Sequence, residues 1–253
     1  MRAFLWTIIA CTSATICLAQ DKASSTAVAK ADDPQAAFKR LKRFFGDNSL
    51  DFRTSFVGVS STRPLRGTVD FLIKRPNLFR IEGRLGRSSY TLVSDGKVMT
   101  IYNKREQRFT EVQAPESPSQ GMALLVGLAS TQSHVLKLID VLAHVAVGAQ
   151  DTRVAAAGSE VVNGRPCSRF NIVENADGWY PEKWEVWLEQ KDVPLPCKFR
   201  VISTDSLIRD THTTQISWNA APTFSDDTFR FNPPKGSKKV ESVGALGLHP
   251  PTQ

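Results

Sequence analysis

Near its start, the chain alternates apolar and charged residues with the period of an α-helix. Phe38, Leu41 and Phe45 recur every three or four positions, and most residues between them are Lys or Arg. This spacing places the apolar side chains on one helix face. Asp33 before Pro34 has the pattern of an N-cap followed by proline at the first helical position. We therefore predict that one amphipathic helix opens the domain at residue 34.

From Leu50 onward the apolar positions follow a period of two, which indicates half-buried strands. Turn residues separate these strands, and Asp95-Gly96 is the clearest break because this dipeptide favours a two-residue hairpin. Short connections of this kind join antiparallel neighbours. The pattern predicts about six strands between Leu50 and Val112. The residues predicted to face inward include Phe71, Phe79 and Ile81.

The middle of the chain departs from this pattern. Residues 114–120 (APESPSQ) are rich in Pro and Ser and predict a loop. The stretches 121–130 and 133–147 then carry apolar residues at i, i+3 and i+4, so we predict two helices. The first helix has no charged residue, which suits a lid over an apolar cavity. The predicted lid residues are Met122, Leu125, Leu128, Leu136 and Ile139.

Strands with a period of two resume at Thr152, and Asn163-Gly164 predicts a further hairpin. A last short strand is predicted within residues 229–240. The other strands predicted in this half of the chain cover 152–156, 160–162, 167–173, 183–189, 197–203 and 211–218.

These elements predict a mainly β protein with helices, of the α+β class. We expect a large curved antiparallel sheet, or open half-barrel, of about eleven strands. Its concave face would be covered by the N-terminal helix and the two central helices. The single domain is predicted to span 34–240, with a disordered linker at 20–33 and a C-terminal tail at 241–253.

Residues 183–201 (KWEVWLEQKDVPLPCKFRV) have tryptophans on both faces of one predicted strand. Successive side chains of a strand point to opposite faces. Trp184 should therefore face the interior, and Trp187 should face the rim or the outer surface. A packed core explains the inward set as well as the wall of a ligand cavity does. The inward residues of this hairpin are Trp184, Val186, Leu188, Phe199 and Val201.

Residues 1–19 combine Arg2, an apolar run and small residues before Gln20. This is the pattern of a cleaved export signal. The run is shorter than the roughly 20 apolar residues of a membrane-spanning helix. A competing interpretation makes Cys11 the lipidated residue of a lipoprotein, but the signal peptide explains the stretch better. We expect a periplasmic or secreted protein.

Cleavage would leave Cys167 and Cys197 as the cysteines of the mature chain. Thiols tend to pair in an oxidising compartment, so a disulfide is predicted. Sheet geometry argues against this disulfide. The predicted hairpin places Cys167 opposite about Glu189, and the strand that contains Glu189 then lies between the two cysteines. Two strand spacings make ~9.6 Å, and a disulfide joins Cα atoms up to ~7 Å apart. The central strand must therefore end early, which Pro194 and Pro196 would arrange.

The formal charge of +7 falls to +6 once Arg2 is removed. The basic residues are spread along the chain, without the runs of about four to eight that mark binding to anionic lipid surfaces. We therefore favour a solvated basic surface over attraction to lipid headgroups.

Motifs of several functional classes are missing from the sequence. The 4 histidines form no HExxH motif or other paired ligand spacing, so no metal site is expected. GxSxG, P-loop and strand-following GxGxxG motifs are also missing. An export signal, and basic residues that do not interleave with aromatic ones, argue against nucleic acid. We expect neither catalysis nor a cofactor, and we give His134 a surface or capping role.

The order of helix, six strands, two apolar helices and five or six strands resembles the periplasmic lipoprotein carrier (LolA-like) fold. The segments NGRPCSRFNI, KWEVWLEQKDVPLPCKFRV and DTFRFNPPKGSKKV are similar to an uncharacterised bacterial family, predicted to be periplasmic, with that fold. The resemblance covers roughly residues 35–240. It implies lipid or acylated cargo held between a curved sheet and its helices, and it assigns no individual functional residue.

The leading hypothesis is therefore a periplasmic carrier that binds a lipid or lipoprotein-type apolar ligand and releases it when the helical lid moves. The alternative is a sensor or protein-interaction module on the same fold without bound lipid, which an exposed sheet edge would favour. We expect a monomer that meets a membrane or protein partner transiently and does not bind nucleic acid.

Overall fold

A computed structural model describes the chain from residue 33 to residue 248 with several gaps. The predicted signal peptide, most of the predicted linker, Leu128 and residues 140–147 of the predicted second lid helix lie outside the described parts. The described parts are 33–60, 63–86, 88–125, 134–139, 152–174, 182–203, 211–219, 221–225 and 227–248.

The described chain is mainly β, as predicted. Six strands precede the central helices, five follow them, and a two-residue strand lies near the C-terminus. Their bounds are β1 Leu50–Ser60, β2 Arg63–Lys74, β3 Leu78–Leu85, β4 Ser88–Asp95, β5 Val98–Asn103, β6 Arg108–Gln113, β7 Thr152–Val162, β8 Arg165–Glu174, β9 Glu182–Glu189, β10 Pro196–Ser203, β11 Thr211–Trp218 and β12 Lys238–Lys239.

The strands form one open sheet of 12 strands, in the order β12-β6-β5-β4-β3-β2-β1-β11-β10-β9-β8-β7. Neighbouring strands are antiparallel except that β12 runs parallel to β6. Two meanders, β1 to β6 and β7 to β11, are joined where β1 pairs with β11. Because β7 and β12 lie at opposite ends of this order, the sheet does not close, which confirms the predicted open antiparallel architecture.

One predicted break between strands is wrong. The segments predicted as separate strands at 152–156 and 160–162 belong to the single strand β7, whose register with β8 shifts between Ala156 and Ser159. Gly158 lies in this irregularity with φ of +102°, a conformation that glycine adopts at little cost. The chain therefore bulges there without ending the strand.

Helix α1 spans Pro34–Asp47 and begins as predicted. The Asp33 carboxylate accepts a hydrogen bond from the Gln35 backbone N–H at 3.3 Å, which caps the helix. Pro34 occupies the first turn, where its missing N–H costs nothing. The buried face of α1 consists of Ala37, Phe38, Leu41 and Phe45.

The central helical region begins earlier than predicted. Helix α2 spans Pro118–Ala123, so the predicted loop at 114–120 is wrong in its last three residues. Ser117 explains the earlier start, because its hydroxyl accepts a hydrogen bond from the Gln120 backbone N–H at 3.3 Å. Residues 134–139 are also helical, as predicted. None of the helices in the described ranges is long and apolar enough to cross a membrane.

The two faces of the sheet have different covers. The inner face, as we call the face that meets the helices, contributes most of a large apolar cluster that also includes residues of α1, α2 and 134–139. The opposite, outer face is crossed by the C-terminal part of the chain. Phe231 lies there with its ring centroid 5.5 Å from those of Tyr102 and Phe109.

The segment predicted as a C-terminal tail starts at residue 241 and packs against the sheet in its described part. Val243–Leu246 form a short 3-10 helix. Leu246 is buried, and its carbonyl accepts a hydrogen bond from the Asn103 side-chain amide at 2.9 Å.

Candidate functional site

Twelve of the thirteen residues predicted to line a ligand cavity lie in the same apolar cluster. All twelve are at most 4 % exposed, and Leu128 is the one that lies outside the described residues. The structure therefore brings the predicted set together, although burial alone does not distinguish a cavity lining from a packed core. The twelve are Phe71, Phe79, Ile81, Met122, Leu125, Leu136, Ile139, Trp184, Val186, Leu188, Phe199 and Val201.

Strands β9 and β10 form one wall of this cluster. Val201 pairs with Trp184 and Phe199 pairs with Val186 in the antiparallel register. The rings of Trp184 and Phe199 lie 5.8 Å apart. These side chains meet because alternate residues of paired strands share one face.

Helix α1 contributes aromatic residues that the sequence analysis did not place in the site. The Phe38 ring lies 5.6 Å from Phe170 of β8, and the Phe45 ring lies 5.9 Å from Trp218 of β11. Trp218 in turn lies 4.6 Å from Phe52. The amphipathic pattern of α1 and the period of two in β1 and β11 were the signals that could have identified these residues.

Helix α2 approaches the sheet closely at Gly121. A Cβ atom at this position would lie 2.8 Å from the Phe79 ring and 3.0 Å from the Met99 sulfur. Only glycine allows such an approach without a shift of the neighbours. This contact seats Met122, which is completely buried, against the inner face.

His134 occupies a different position from the expected surface or capping one. Its ring lies 5.8 Å from Trp184, in an edge-on arrangement, and 5.6 Å from His212 of β11. Lys137 places its Nζ 5.6 Å from the centre of the Trp184 ring. The helical residues 134–139 therefore present polar groups to the inner face beside the apolar ones. The sequence did not predict His212 as an inner-face residue. The signal was available, because His212, Thr214 and Ile216 are alternate residues of one strand and therefore share a face.

On the inner face, two aromatic side chains each bury a polar atom that has no hydrogen-bond partner among the described residues. These atoms are the hydroxyl oxygen of Tyr90 and the indole nitrogen of Trp184, and both side chains are 0 % exposed. The Tyr90 ring lies over Gly83, where a Cβ atom would come within 2.1 Å of it. Burial raises the pKa of the Tyr90 phenol, which keeps it protonated and able to donate.

Trp187 points to the outer face, as predicted, but it is buried rather than exposed. Its indole N–H donates to a Glu160 carboxylate oxygen at 2.7 Å, and Lys198 places its Nζ 4.0 Å from the centre of the ring. Burial alone would raise the pKa of Glu160, but hydrogen bonds from Trp187 and Lys198 outweigh this effect and lower it. Glu160 and Lys198 therefore cover Trp187, which the alternation pattern alone predicted to be at the rim or the outer surface.

Cys167 and Cys197 join Trp187 and Val162 in a second, smaller buried cluster on the outer face. Both cysteines carry free thiols in this structure. The predicted disulfide is therefore not formed in this structure.

Charged cavities lie on the outer face, between the sheet and the C-terminal segment. One of about 360 Å³ is lined by Lys74 and Lys97, and a neighbouring one of about 250 Å³ by Arg80 and Lys104. Arg230 lines both. In the described parts of the chain, no group of three or more His, Cys, Asp or Glu residues could hold a metal ion.

A family model described as "Predicted periplasmic protein (DUF2092)" matches residues 64–243. The chain belongs to this family. The match covers well over half of the chain and includes the β9–β10 wall. It confirms the predicted membership of an uncharacterised periplasmic family and the predicted periplasmic localisation. No curated protein matches the chain.

Several solved structures are similar to this one. LprF from Mycobacterium bovis is 12% identical, with a TM-score of 0.47 over 78% of this chain and 99% of that one. An uncharacterised conserved protein from Thermus thermophilus is 13% identical, with a TM-score of 0.46 over 81% and 99%. The lipoprotein LppX from Mycobacterium tuberculosis is 12% identical, with a TM-score of 0.45 over 76% and 99%. Likenesses this distant say nothing about what the present chain binds.

Proposed function

We propose that this periplasmic protein binds a lipid or other acyl-chain ligand between the inner face of the sheet and the helices. The observation that carries the proposal is the convergence of the predicted lid and wall residues in one apolar cluster. Residues from α2 and 134–139 meet aromatic residues from β2, β3, β9 and β10 there. Apolar, aromatic-rich linings with few polar groups are typical of small-molecule sites.

The unpaired polar atoms of Tyr90 and Trp184 support an amphiphilic ligand over a pure hydrocarbon. A buried donor without a partner costs about 1–3 kcal/mol. Tyr90 and Trp184 lie on strands six positions apart in the sheet order, so different acceptors would serve them. An ester carbonyl or a carboxylate on the ligand would accept a hydrogen bond from either group, because a phenol and an indole N–H are donors. The proposed ligand therefore has an acyl chain and at least one hydrogen-bond acceptor.

The form of the helical cover supports release of the ligand by movement of the lid. Helix α2 has 6 residues, and helices of this length are unstable in water without packing contacts. Its stability therefore depends on the side chains beneath it. A lid held in this way can be displaced at a smaller cost than a strand of the sheet.

Native mass spectrometry, followed by lipid extraction, tests the proposal. The protein is purified from the periplasm in parallel with Leu136→Asn, which puts an amide in the lid, and Val57→Asn, which changes an exposed outer-face residue. We expect wild type and Val57→Asn to carry extractable acyl lipid, and Leu136→Asn to carry much less, while all three keep the same circular dichroism spectrum. Wild-type protein that carries no lipid and binds no fluorescent fatty acid would refute the proposal.

A second candidate function, binding of a protein segment, rests on a different observation. Strand β7 is the last strand of the sheet order, and Val161 on it is 68% exposed. An open edge can accept an extra strand from a partner. Hydrogen exchange with and without periplasmic extract tests it: added protection along β7 would support this function, and unchanged exchange would oppose it.

A further inference from the structure

Cys167 and Cys197 lie on strands that do not pair with each other. Cys167 belongs to β8 and Cys197 to β10, and β9 lies between them in the sheet order. In a regular sheet this arrangement keeps cysteine Cα atoms too far apart, since two strand spacings make ~9.6 Å and a disulfide spans up to ~7 Å.

The end of β9 removes this obstacle. Cys167 pairs with Glu189, the last residue of β9, as the sequence analysis predicted. On the other side Pro196 pairs with Leu188 and Lys198 with Trp187, so the register shifts at Cys197. The side chain of the extra residue at such a bulge points in a different direction from the one it would have in a regular strand. Cys167 and Cys197 therefore lie on either side of the end of β9, where the strand no longer separates their side chains.

The two side chains meet in a closed environment. Both are completely buried in the cluster with Val162 and Trp187. The Cys167 thiol lies 3.5 Å from the Arg165 carbonyl oxygen, and the Cys197 thiol lies 3.4 Å from the Trp187 carbonyl oxygen. Each thiol is thus held next to backbone atoms of the strands that surround it.

The two thiols also interact. The neighbouring Cys197 lowers the pKa of the Cys167 thiol, and the neighbouring Cys167 together with burial raises the pKa of the Cys197 thiol. Cys167 is therefore the thiol that loses its proton first and acts as the nucleophile in thiol exchange.

We propose that Cys167 and Cys197 form a disulfide in the exported protein, joining β8 to β10 around the end of β9. A thiol oxidant that carries its own disulfide supplies the oxidising equivalents. The Cys167 thiolate attacks one sulfur of that disulfide and releases the other as a thiol. The Cys197 thiolate then attacks the mixed disulfide, so the cysteines lose two electrons and two protons and the oxidant becomes a dithiol.

The bond has a structural consequence for the inner face. Strands β8, β9 and β10 carry Phe170, Trp184 and Phe199 on that face. A covalent link on the outer face holds these three strands in register behind the wall. Because both sulfurs are buried, the cluster has to open locally to admit the oxidant, and the finished bond is shielded from reductants once the cluster closes.

Alkylation under denaturing conditions tests the bond directly. Protein purified from the periplasm is unfolded, treated with iodoacetamide with or without prior reduction, and digested. We expect a linked peptide pair containing Cys167 and Cys197 without reduction, and two alkylated peptides after reduction. Two alkylated peptides without reduction would overturn the proposal.

Thermal unfolding gives a second, independent readout. Closing the loop between these residues restricts the unfolded chain, so reduction should lower the Tm of the wild type by roughly 10 °C. The double variant Cys167→Ala, Cys197→Ala should not respond to reductant. A wild-type Tm that stays constant on complete reduction would contradict a stabilising bond. If the double variant does not fold, the peptide analysis of the wild type still decides.

Discussion

The side chains that matter most for the proposed ligand are two aromatic residues with unused hydrogen-bonding groups. Tyr90 and Trp184 are fully buried, and each has one polar atom without a partner in the part of the chain that the structure describes. Native proteins seldom leave buried polar atoms unpaired unless water, a ligand or a functional need explains them. The period of two at these positions predicted that Trp184 faces inward. It did not show that its N–H lacks a partner, because that depends on distant residues.

Removal of the Tyr90 hydroxyl provides a test at this scale. In lipid-free protein, Tyr90→Phe should leave the free energy of unfolding unchanged or raise it by up to about 1 kcal/mol, because it removes an unpaired buried group. The same variant should bind an ester lipid more weakly than wild type. Tyr102→Phe, on the outer face, is the matched control and should leave lipid affinity unchanged. Urea unfolding and a fluorescent lipid titration measure both effects. A loss of more than about 1 kcal/mol in Tyr90→Phe would mean that the hydroxyl has a partner.

Among the elements, the hairpins and α1 follow closely from local sequence. The Asn163-Gly164 turn joins β7 to β8 as predicted, whereas β4 joins β5 through Gly96-Lys97, one residue later than the predicted Asp95-Gly96. Gly96 is the first residue of its turn and has positive φ, and Asn163 and Gly164 both have positive φ, as two-residue hairpin turns require. Such elements are predictable because their causes lie within a few residues. The earlier start of α2 at Pro118 depended on the Ser117 cap, a local signal that the Pro/Ser composition obscured.

The hairpin at Asp95 should make stability depend on pH. Its carboxylate accepts hydrogen bonds from the backbone N–H groups of Val98 and Lys97, both at 2.8 Å, and these bonds lower the pKa of Asp95. A lowered folded pKa means that the contribution is present above the unfolded pKa of about 3.9 and is lost as pH falls through the folded value.

Asp95→Ala should therefore cost about 1 kcal/mol at neutral pH. The difference from wild type should shrink as the pH is lowered below about 4. Urea unfolding at a series of pH values measures it. Asp192→Ala, at an exposed bend, is the control, with an expected change below about 0.5 kcal/mol. A difference between Asp95→Ala and wild type that stays constant down to low pH would rule out this role of the carboxylate.

A pair of glycines tests how tightly the helix and the sheet are packed. A Cβ atom added at Gly46 in α1 would meet no heavy atom within 4 Å, whereas one added at Gly83 would lie 2.1 Å from the Tyr90 ring. Gly46→Ala should raise stability by about 0.5–1 kcal/mol through helix propensity. Gly83→Ala should lower it by about 1–3 kcal/mol by displacing Tyr90. Equal effects of the two substitutions in thermal unfolding would contradict the packing described for Tyr90.

At the scale of the whole molecule, the sequence predicted the mainly β class, the helical cover and the inward-facing set. It did not predict which strands join the two meanders. The pairing of β1 with β11 brings Phe52 opposite Trp218, a contact between distant parts of the chain that no local pattern encodes. The burial of Trp187 was missed for the same reason, because its neighbours Glu160 and Lys198 come from other strands. Alternation assigns a side chain to a face but does not show what covers that face.

The central claim is that an acyl chain binds against the inner face, and Trp184 and Trp187 provide a direct comparison. They lie on one strand, face opposite sides and are both buried. The decisive measurement is fluorescence quenching by a fatty acid brominated on its acyl chain, in variants that keep either Trp184 or Trp187 and replace every other tryptophan with Phe. We predict strong quenching of Trp184 and little quenching of Trp187. Equal quenching of both residues, or none of Trp184 at saturating fatty acid, would contradict ligand binding at the inner face.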